Sequence, residues 1–328
     1  MSLHISRRSL IGKAAAGATL ATAAGGSALL AQDDLPTVGV GSKDFTESVL
    51  LGEIVAQILE DNGYGVERQL NLGGTLVAHE ALVAGDIDTY VEYTGTGLLA
   101  ILGMELADAE ASPESEDYED ADATPVSGGG TADAVYDIVA AEYASQFGLE
   151  WLEPWGFNNT YALAMRRDHA EELGVTTISD LVDHAGDLTI GATQEAVVRE
   201  DGIPGLEATY DISFGDVVGL DPGLMYSAVD NGEVDVITAF ATDGRIESMD
   251  LFLLEDDLQF YPPYYAAPVV RQDLLEASPE VRDILNTVAG TLDDARMAGL
   301  NYQVDEEGQE IADVARTFLT EEGLVGTE

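Results

Sequence analysis

The sequence predicts an α/β protein built as two similar lobes, and three observations carry that reading. Short strand-like runs alternate with helical ones from Val38 to about Asp257, the pattern of mainly parallel sheets with helices packed on them. Gly85-Asp86-Ile87-Asp88 leading to Tyr93 is echoed by Gly232-Glu233-Val234-Asp235 leading to Phe240. Beyond Asp273 the pattern turns helical, with Ser278 capping a helix from Pro279 to about Thr291 and a terminal helix over 309–322. Such a tail is expected to pack back on one of the lobes.

The first unit is legible in detail. Val38-Gly39-Val40 reads as a strand and Gly41-Ser42-Lys43 as its turn. Asp44 and Glu47 have the spacing of a capping box, and a helix is expected from there to Asn62-Gly63. Within it Leu50, Leu51, Ile54, Val55, Ile58 and Leu59 recur at helical steps and form one apolar face. Thr189-Ile190-Gly191-Ala192-Thr193 matches this first strand and turn in the second lobe. The separation from Gly41 to Gly85 is 44 residues and from Gly191 to Gly232 is 41. Ligands of open α/β sheets bind beyond the carboxyl ends of the strands, where Tyr93 and Phe240 are expected.

Composition narrows the partners. The chain carries 62 acidic and 13 basic residues among 328. A surface this acidic repels nucleic-acid phosphates and anionic membranes, so no nucleic acid is expected as a partner. The acids are scattered, which reads as solvation in molar salt before it reads as a cationic partner. The run from Glu105 to Asp122, closing on Gly128-Gly129-Gly130, has the composition of a disordered acidic loop over 105–130. There is no cysteine, hence no disulfide and no thiolate metal site.

Three of the basic residues, Arg7, Arg8 and Lys13, precede the Ala/Gly-rich stretch from Ala14 to Ala31. A twin arginine before a short, weakly apolar segment is the form of an export signal, so residues 1–31 are read as one and the protein as extracytoplasmic. Small residues at Gly26-Ser27-Ala28 and near Ala31 fit cleavage, while retention would leave an N-terminal membrane tether.

Signs of catalysis are absent from the sequence. His4, His79, His169 and His184 are isolated, without metal-ligand spacing, and there is no nucleophile elbow or phosphate-binding loop. No enzyme, no cofactor and no metal are expected. Lys43 stands out because the only other lysine, Lys13, lies in the signal. It reads either as a binding residue or as a surface cation paired with Asp44 or Glu47. Arg199 lies in the corresponding segment of the second lobe, as a binding residue or an exposed helix arginine. Closure of the lobes would bring both cations onto one carboxylate.

The ordered set of motifs Gly41-Ser42-Lys43-Asp44-Phe45-Thr46-Glu47, Leu72-Gly73-Gly74-Thr75, Glu92-Tyr93-Thr94-Gly95-Thr96, Phe157-Asn158-Asn159-Thr160-Tyr161, Thr242-Asp243-Gly244-Arg245 and Pro262-Pro263-Tyr264 resembles the glycine betaine/choline-binding proteins of osmoprotectant ABC importers. The resemblance runs from Val38 to the C-terminus, residues 105–130 excepted. It implies a type II periplasmic-binding-protein fold, two α/β lobes joined by two crossing strands near Gly156–Leu163 and Gln259–Ala266. Lobe I would comprise 32–155 with 265–328, and lobe II 156–264. It further implies an aromatic cage of Tyr93, Tyr161, Phe240 and Tyr264 around a trimethylammonium group, with the Asn159 backbone lining it. Lys43, Thr96 and Arg199 would hold the ligand carboxylate, an arrangement that favours glycine betaine over choline. The expected function is capture of glycine betaine or a related quaternary ammonium compound for an ABC transporter permease. A chemotaxis transducer receiving the same ligand, or an enzyme of the same fold, are the alternatives.

Overall fold

A computed structural model of the protein describes residues 35–104 and 129–326. The export-signal segment and nearly all of the acidic loop therefore lie outside the described residues. Among the described residues ten strands form two five-stranded sheets of one plan. Strands β1 (Thr37–Gly41), β2 (Gly65–Gln69), β3 (Thr89–Tyr93) and β4 (Leu149–Trp151) join β10 (Ala266–Arg271) in the order β2-β1-β3-β10-β4. Strands β5 (Tyr161–Arg166), β6 (Thr189–Thr193), β7 (Asp216–Leu220), β8 (Val236–Phe240) and β9 (Leu251–Leu254) lie in the order β7-β6-β8-β5-β9. In each sheet the first three strands are parallel, and the fourth, β10 or β5, runs against both of its neighbours.

The repeated motifs occupy equivalent places for a hydrogen-bonding reason. Gly85 and Gly232 both close a helix in the left-handed region, at φ 80° and 71°, where a Cβ would be strained. The last acid of each motif then clamps the neighbouring parallel strand. Asp88 accepts the Gly39 N–H at 2.7 Å, and Asp235 accepts the Thr189 N–H at 2.8 Å. An arginine ending the antiparallel strand completes each set: Arg271 donates to Leu82 O, and Arg166 to Val229 O. The acid–apolar–acid signature is thus a ladder device, which is why it recurs.

Helix α1 (Thr46–Asp61) is the centre of the first unit, with Leu50, Leu51, Ile54, Val55 and Leu59 fully buried. The C-terminal helices Glu280–Asn286, Asp294–Asp305 and Ile311–Glu321 cover it and share its apolar core through Val281, Leu285, Met297, Val314 and Phe318. Truncating such a buried leucine to alanine costs about 2–5 kcal/mol. The caps differ from the sequence reading. Phe45 is the N-cap of α1 and no side chain caps it, so Asp44 and Glu47 form no capping box. Asp44 is exposed, whereas Glu47 turns inward to donors that outcompete the helix end. The helix after Ser278 spans only Glu280–Asn286 and takes the Ser278 backbone carbonyl, not its hydroxyl, as partner of Val281 N–H.

Two chain segments pass between the sheets, 152–160 and 255–265. They pair where Asn158 bridges Tyr265, and Asn159 N–H donates to Tyr264 O at 3.1 Å. The Asn158 side chain accepts the Tyr264 N–H at 2.7 Å, locking the crossing. Tyr161 follows one segment into β5, and Tyr264 precedes β10 on the other. The crossing therefore sets two aromatic rings at the joint.

Candidate functional site

A cavity of about 240 Å³ opens at the carboxyl ends of β1, β3, β6 and β8, beside the crossing segments. Of the residues expected in the site, Lys43, Tyr93, Thr96, Asn159, Tyr161, Phe240 and Tyr264 all line it. Arg199 does not line it. The residues around Arg199 form turns rather than a helix, and its guanidinium is mostly buried rather than exposed.

The aromatic wall comes from four separate parts of the chain. Tyr93 ends β3, Phe240 ends β8, Tyr161 opens β5, and Tyr264 comes from the second crossing segment. Tyr161 packs edge-on against Tyr264 at 5.5 Å between centroids and tilted against Phe240 at 5.5 Å. Phe45, which the sequence reading left out of the cage, stacks on Phe240 at 5.4 Å with 8° between planes, and leans on Tyr93 at 6.1 Å. Its signal was available in the quoted Ser42-Lys43-Asp44-Phe45 motif. Gly95 is what admits the Tyr264 ring, since a Cβ there would lie 2.8 Å from two ring carbons. Burial holds the phenols of Tyr93 and Tyr264 well above the ordinary tyrosine value and pushes Tyr161 up to about 12, so all three face the cavity as neutral rings.

Both cations are already paired. Lys43, only 4% exposed, donates to Glu92 at 2.6 Å, and Glu92 is fully buried. Glu92 also accepts Tyr93 N–H at 2.8 Å and the Tyr90 hydroxyl at 3.0 Å. The Lys43 ammonium lies 4.7 Å from the centre of the Tyr93 ring. The pairing with Asp44 or Glu47 read from the sequence does not occur, because the partner is 49 residues away on β3. Arg199 forms a two-pronged ion pair with Asp201 and reaches Glu195 at 3.4 Å and the Thr75 hydroxyl at 3.5 Å. Burial works against its charge, and the Asp201 carboxylate in contact with it outweighs that. Each cation thus has its own internal carboxylate, rather than sharing one.

Three carboxylates, Asp44, Glu195 and Asp221, line the cavity along with the single lysine. Glu195 crosses it to accept the Thr75 N–H at 2.8 Å. Thr75 begins helix α2 (Thr75–Ala84), whose N-cap is Gly74 and whose first turn has no side-chain cap of its own. The cavity therefore combines aromatic faces with a helix N-terminus, Thr96 and Lys43. Among the described residues no group of histidine, aspartate or glutamate side chains could hold a metal ion.

Glu47, read from the sequence as a helix cap or a partner of Lys43, has neither role. Its carboxylate, 3% exposed, accepts from Tyr93 OH at 2.7 Å, Asn159 Nδ2 at 2.7 Å, Thr242 Oγ1 at 2.5 Å and Asn301 Nδ2 at 2.8 Å. A carboxylate in line with Leu50, Leu51 and Ile54, on the face a helix buries, was the signal that could have exposed it.

Residues 36–321 match the family of substrate-binding domains of ABC-type glycine betaine transport systems. A glycine-betaine-binding protein of Pseudomonas aeruginosa is 36% identical over 88% of this chain and 89% of its own length. A carnitine transport binding protein of Listeria monocytogenes is 34% identical over 86% of each chain. The crystal structure of a glycine betaine/carnitine/choline ABC transporter superposes with a TM-score of 0.66 at 28% identity, over 89% of this chain and 99% of that one. Two five-stranded sheets joined by two crossing segments make the fold that of the periplasmic binding proteins. On this match the chain belongs to the substrate-binding domains of ABC-type glycine betaine transport systems.

Proposed function

We propose that this protein is the extracytoplasmic receptor of an ABC importer, closing around glycine betaine, carnitine or a related quaternary ammonium compound and passing it to a permease. The observation that carries the reading is the convergence of Tyr93, Tyr161, Phe240 and Tyr264 on one cavity with acidic lining. A trimethylammonium group has no hydrogen to donate, and aromatic faces with nearby carboxylates are the surface that recognises it. The Asn159 backbone completes the cage. The ligand carboxylate goes to Lys43, Thr96 and the Thr75 N–H, with Arg199 reaching it where Glu195 now stands. The protein binds and releases its ligand unchanged, without cofactor. Residues 32–155 with 265–328 form one lobe and 156–264 the other, and residues 1–31 direct export, by way of a cleaved signal or a retained tether.

Each desolvated aromatic contact contributes about 0.5–2 kcal/mol, so four supply roughly 2–8. Micromolar affinity requires about 8 kcal/mol, and the polar end must supply the remainder. Calorimetry at molar salt against glycine betaine, carnitine, choline and an uncharged alcohol tests the reading. Micromolar binding of at least one quaternary compound is expected, with recovery of intact ligand. Binding of none of them would overturn it. Chemical conversion of the bound compound would replace the receptor by an enzyme.

A further inference from the structure

A buried carboxylate, Glu47, stands behind the Tyr93 ring. Glu47 lies outside the cavity lining, and its four partners come from β3, the first crossing segment, the turn after β8 and the helix Asp294–Asp305. All four donate to it, which fills the acceptor capacity of a charged carboxylate. Both asparagines turn their Nδ2 to Glu47, while among the described residues their own buried Oδ1 atoms have no partner. An anion that recruits donors at that cost dominates its surroundings. Among the described residues no basic side chain pairs with it, in contrast to Lys43–Glu92 and Arg199–Asp201 nearby. Burial opposes the charge and raises its pKa, while the four donors pull the other way.

Two of these donors belong to the cage. Tyr93 gives Glu47 its hydroxyl proton, and Asn159 gives it an amide while its backbone lines the ligand cavity. A phenol donating to a carboxylate is richer in electron density, so its ring face attracts a cation more strongly. The carboxylate behind the ring adds to this in a low-dielectric interior, against the Lys43 ammonium 4.7 Å from the centre of the same ring.

We infer that Glu47 strengthens the selection of the cage for positive charge beyond what the lining carboxylates supply, acting through Tyr93 and Asn159 from outside the cavity lining. The inference rests on the quaternary-ammonium reading above. It goes further by separating two properties of such a head, its trimethyl shape and its charge, and assigning part of the second to Glu47.

Glycine betaine and 3,3-dimethylbutanoate test it, because they have the same shape and the same carboxylate, and differ only in carrying nitrogen cation or neutral carbon. The full-length protein should bind glycine betaine far more tightly than the neutral compound. Glu47→Gln should weaken glycine betaine at least tenfold, about 1.4 kcal/mol, and change the neutral compound less than twofold. Tyr93→Phe keeps the ring and cuts its link to Glu47, so it should lower the same ratio, by about threefold. Equal losses for both compounds in Glu47→Gln would show a purely structural role and overturn the inference. If that variant does not fold, an unchanged ratio in Tyr93→Phe overturns it instead. Failure of the unmodified protein to bind any quaternary compound would reject the receptor reading itself, a result distinct from both.

Discussion

The Glu195 carboxylate accepts the backbone N–H of Thr75 at 2.8 Å, so a side chain carried by the second sheet caps a helix that packs on the first. Gly74 makes room for it, since a Cβ there would be 2.0 Å from the Glu195 oxygen. A helix N-terminus attracts any anion, and a ligand carboxylate entering the polar end of the cavity competes with Glu195 for it. Glu195→Gln keeps the hydrogen bond and removes the charge. Binding of glycine betaine should rise two- to fivefold relative to choline, in line with about 0.3–1 kcal/mol for a charge at a helix end. An unchanged ratio in calorimetry would mean that the two carboxylates do not compete.

The buried Lys43–Glu92 pair should behave as a unit. Glu92→Gln leaves the Lys43 ammonium without its counter-charge, and a destabilisation of about 3–5 kcal/mol is expected. Lys43→Met strands Glu92 in the same way. The double variant Lys43→Met/Glu92→Gln should lose clearly less than the sum of the single losses, read from denaturant midpoints. Simple additivity would show that the contact does not couple the two residues.

Removing a ring should open the cage wall. Tyr93→Ala, Tyr161→Ala and Tyr264→Ala are each expected to weaken glycine betaine binding by roughly 1–3 kcal/mol, and Phe45→Ala, which supports Phe240, by about 1. Phe240→Tyr should be tolerated. Normal affinity in two of the three tyrosine variants, with melting curves intact, would move the ligand out of this cavity.

Gly156 stands in the first crossing segment at φ 112°, and a Cβ there would lie 2.4 Å from the Leu292 carbonyl. Gly156→Ala should cost at least 1–3 kcal/mol from backbone strain alone. Gly299 is the contrast, within the helix Asp294–Asp305 and with nothing within 4 Å of a built Cβ. Gly299→Ala should raise stability by about 0.4–1 kcal/mol. A stable Gly156→Ala protein would show that the crossing can relax around the added methyl.

Much of the architecture was legible because local physics carries it. Alternating strand and helix patterns, the glycines that end helices, and the acids after them are set by neighbours a few residues away. They are sufficient for two similar α/β units with Tyr93 and Phe240 at strand ends, whereas the gathering of Tyr161 and Tyr264 at the same cavity was implied only by the resemblance of the ordered motifs. Lys43 was visible by rarity alone. The pairing of charges was not visible, because the chain is acidic almost everywhere and any carboxylate nearby in sequence looked like a partner.

Only the tertiary structure chose among them. Lys43 meets Glu92 because β1 and β3 are adjacent in the sheet, and Arg199 meets Asp201 because the segment after β6 turns instead of coiling. Glu47 changes from an expected helix cap to a buried carboxyl group held by four segments, three of whose donors lie more than 100 residues away. Sequence determines which groups need partners, by their charge, polarity and apolar spacing. Which partner each group obtains depends on the packing of strands and crossing segments, because desolvation on burial makes the nearest donor in space decisive whatever its distance along the chain.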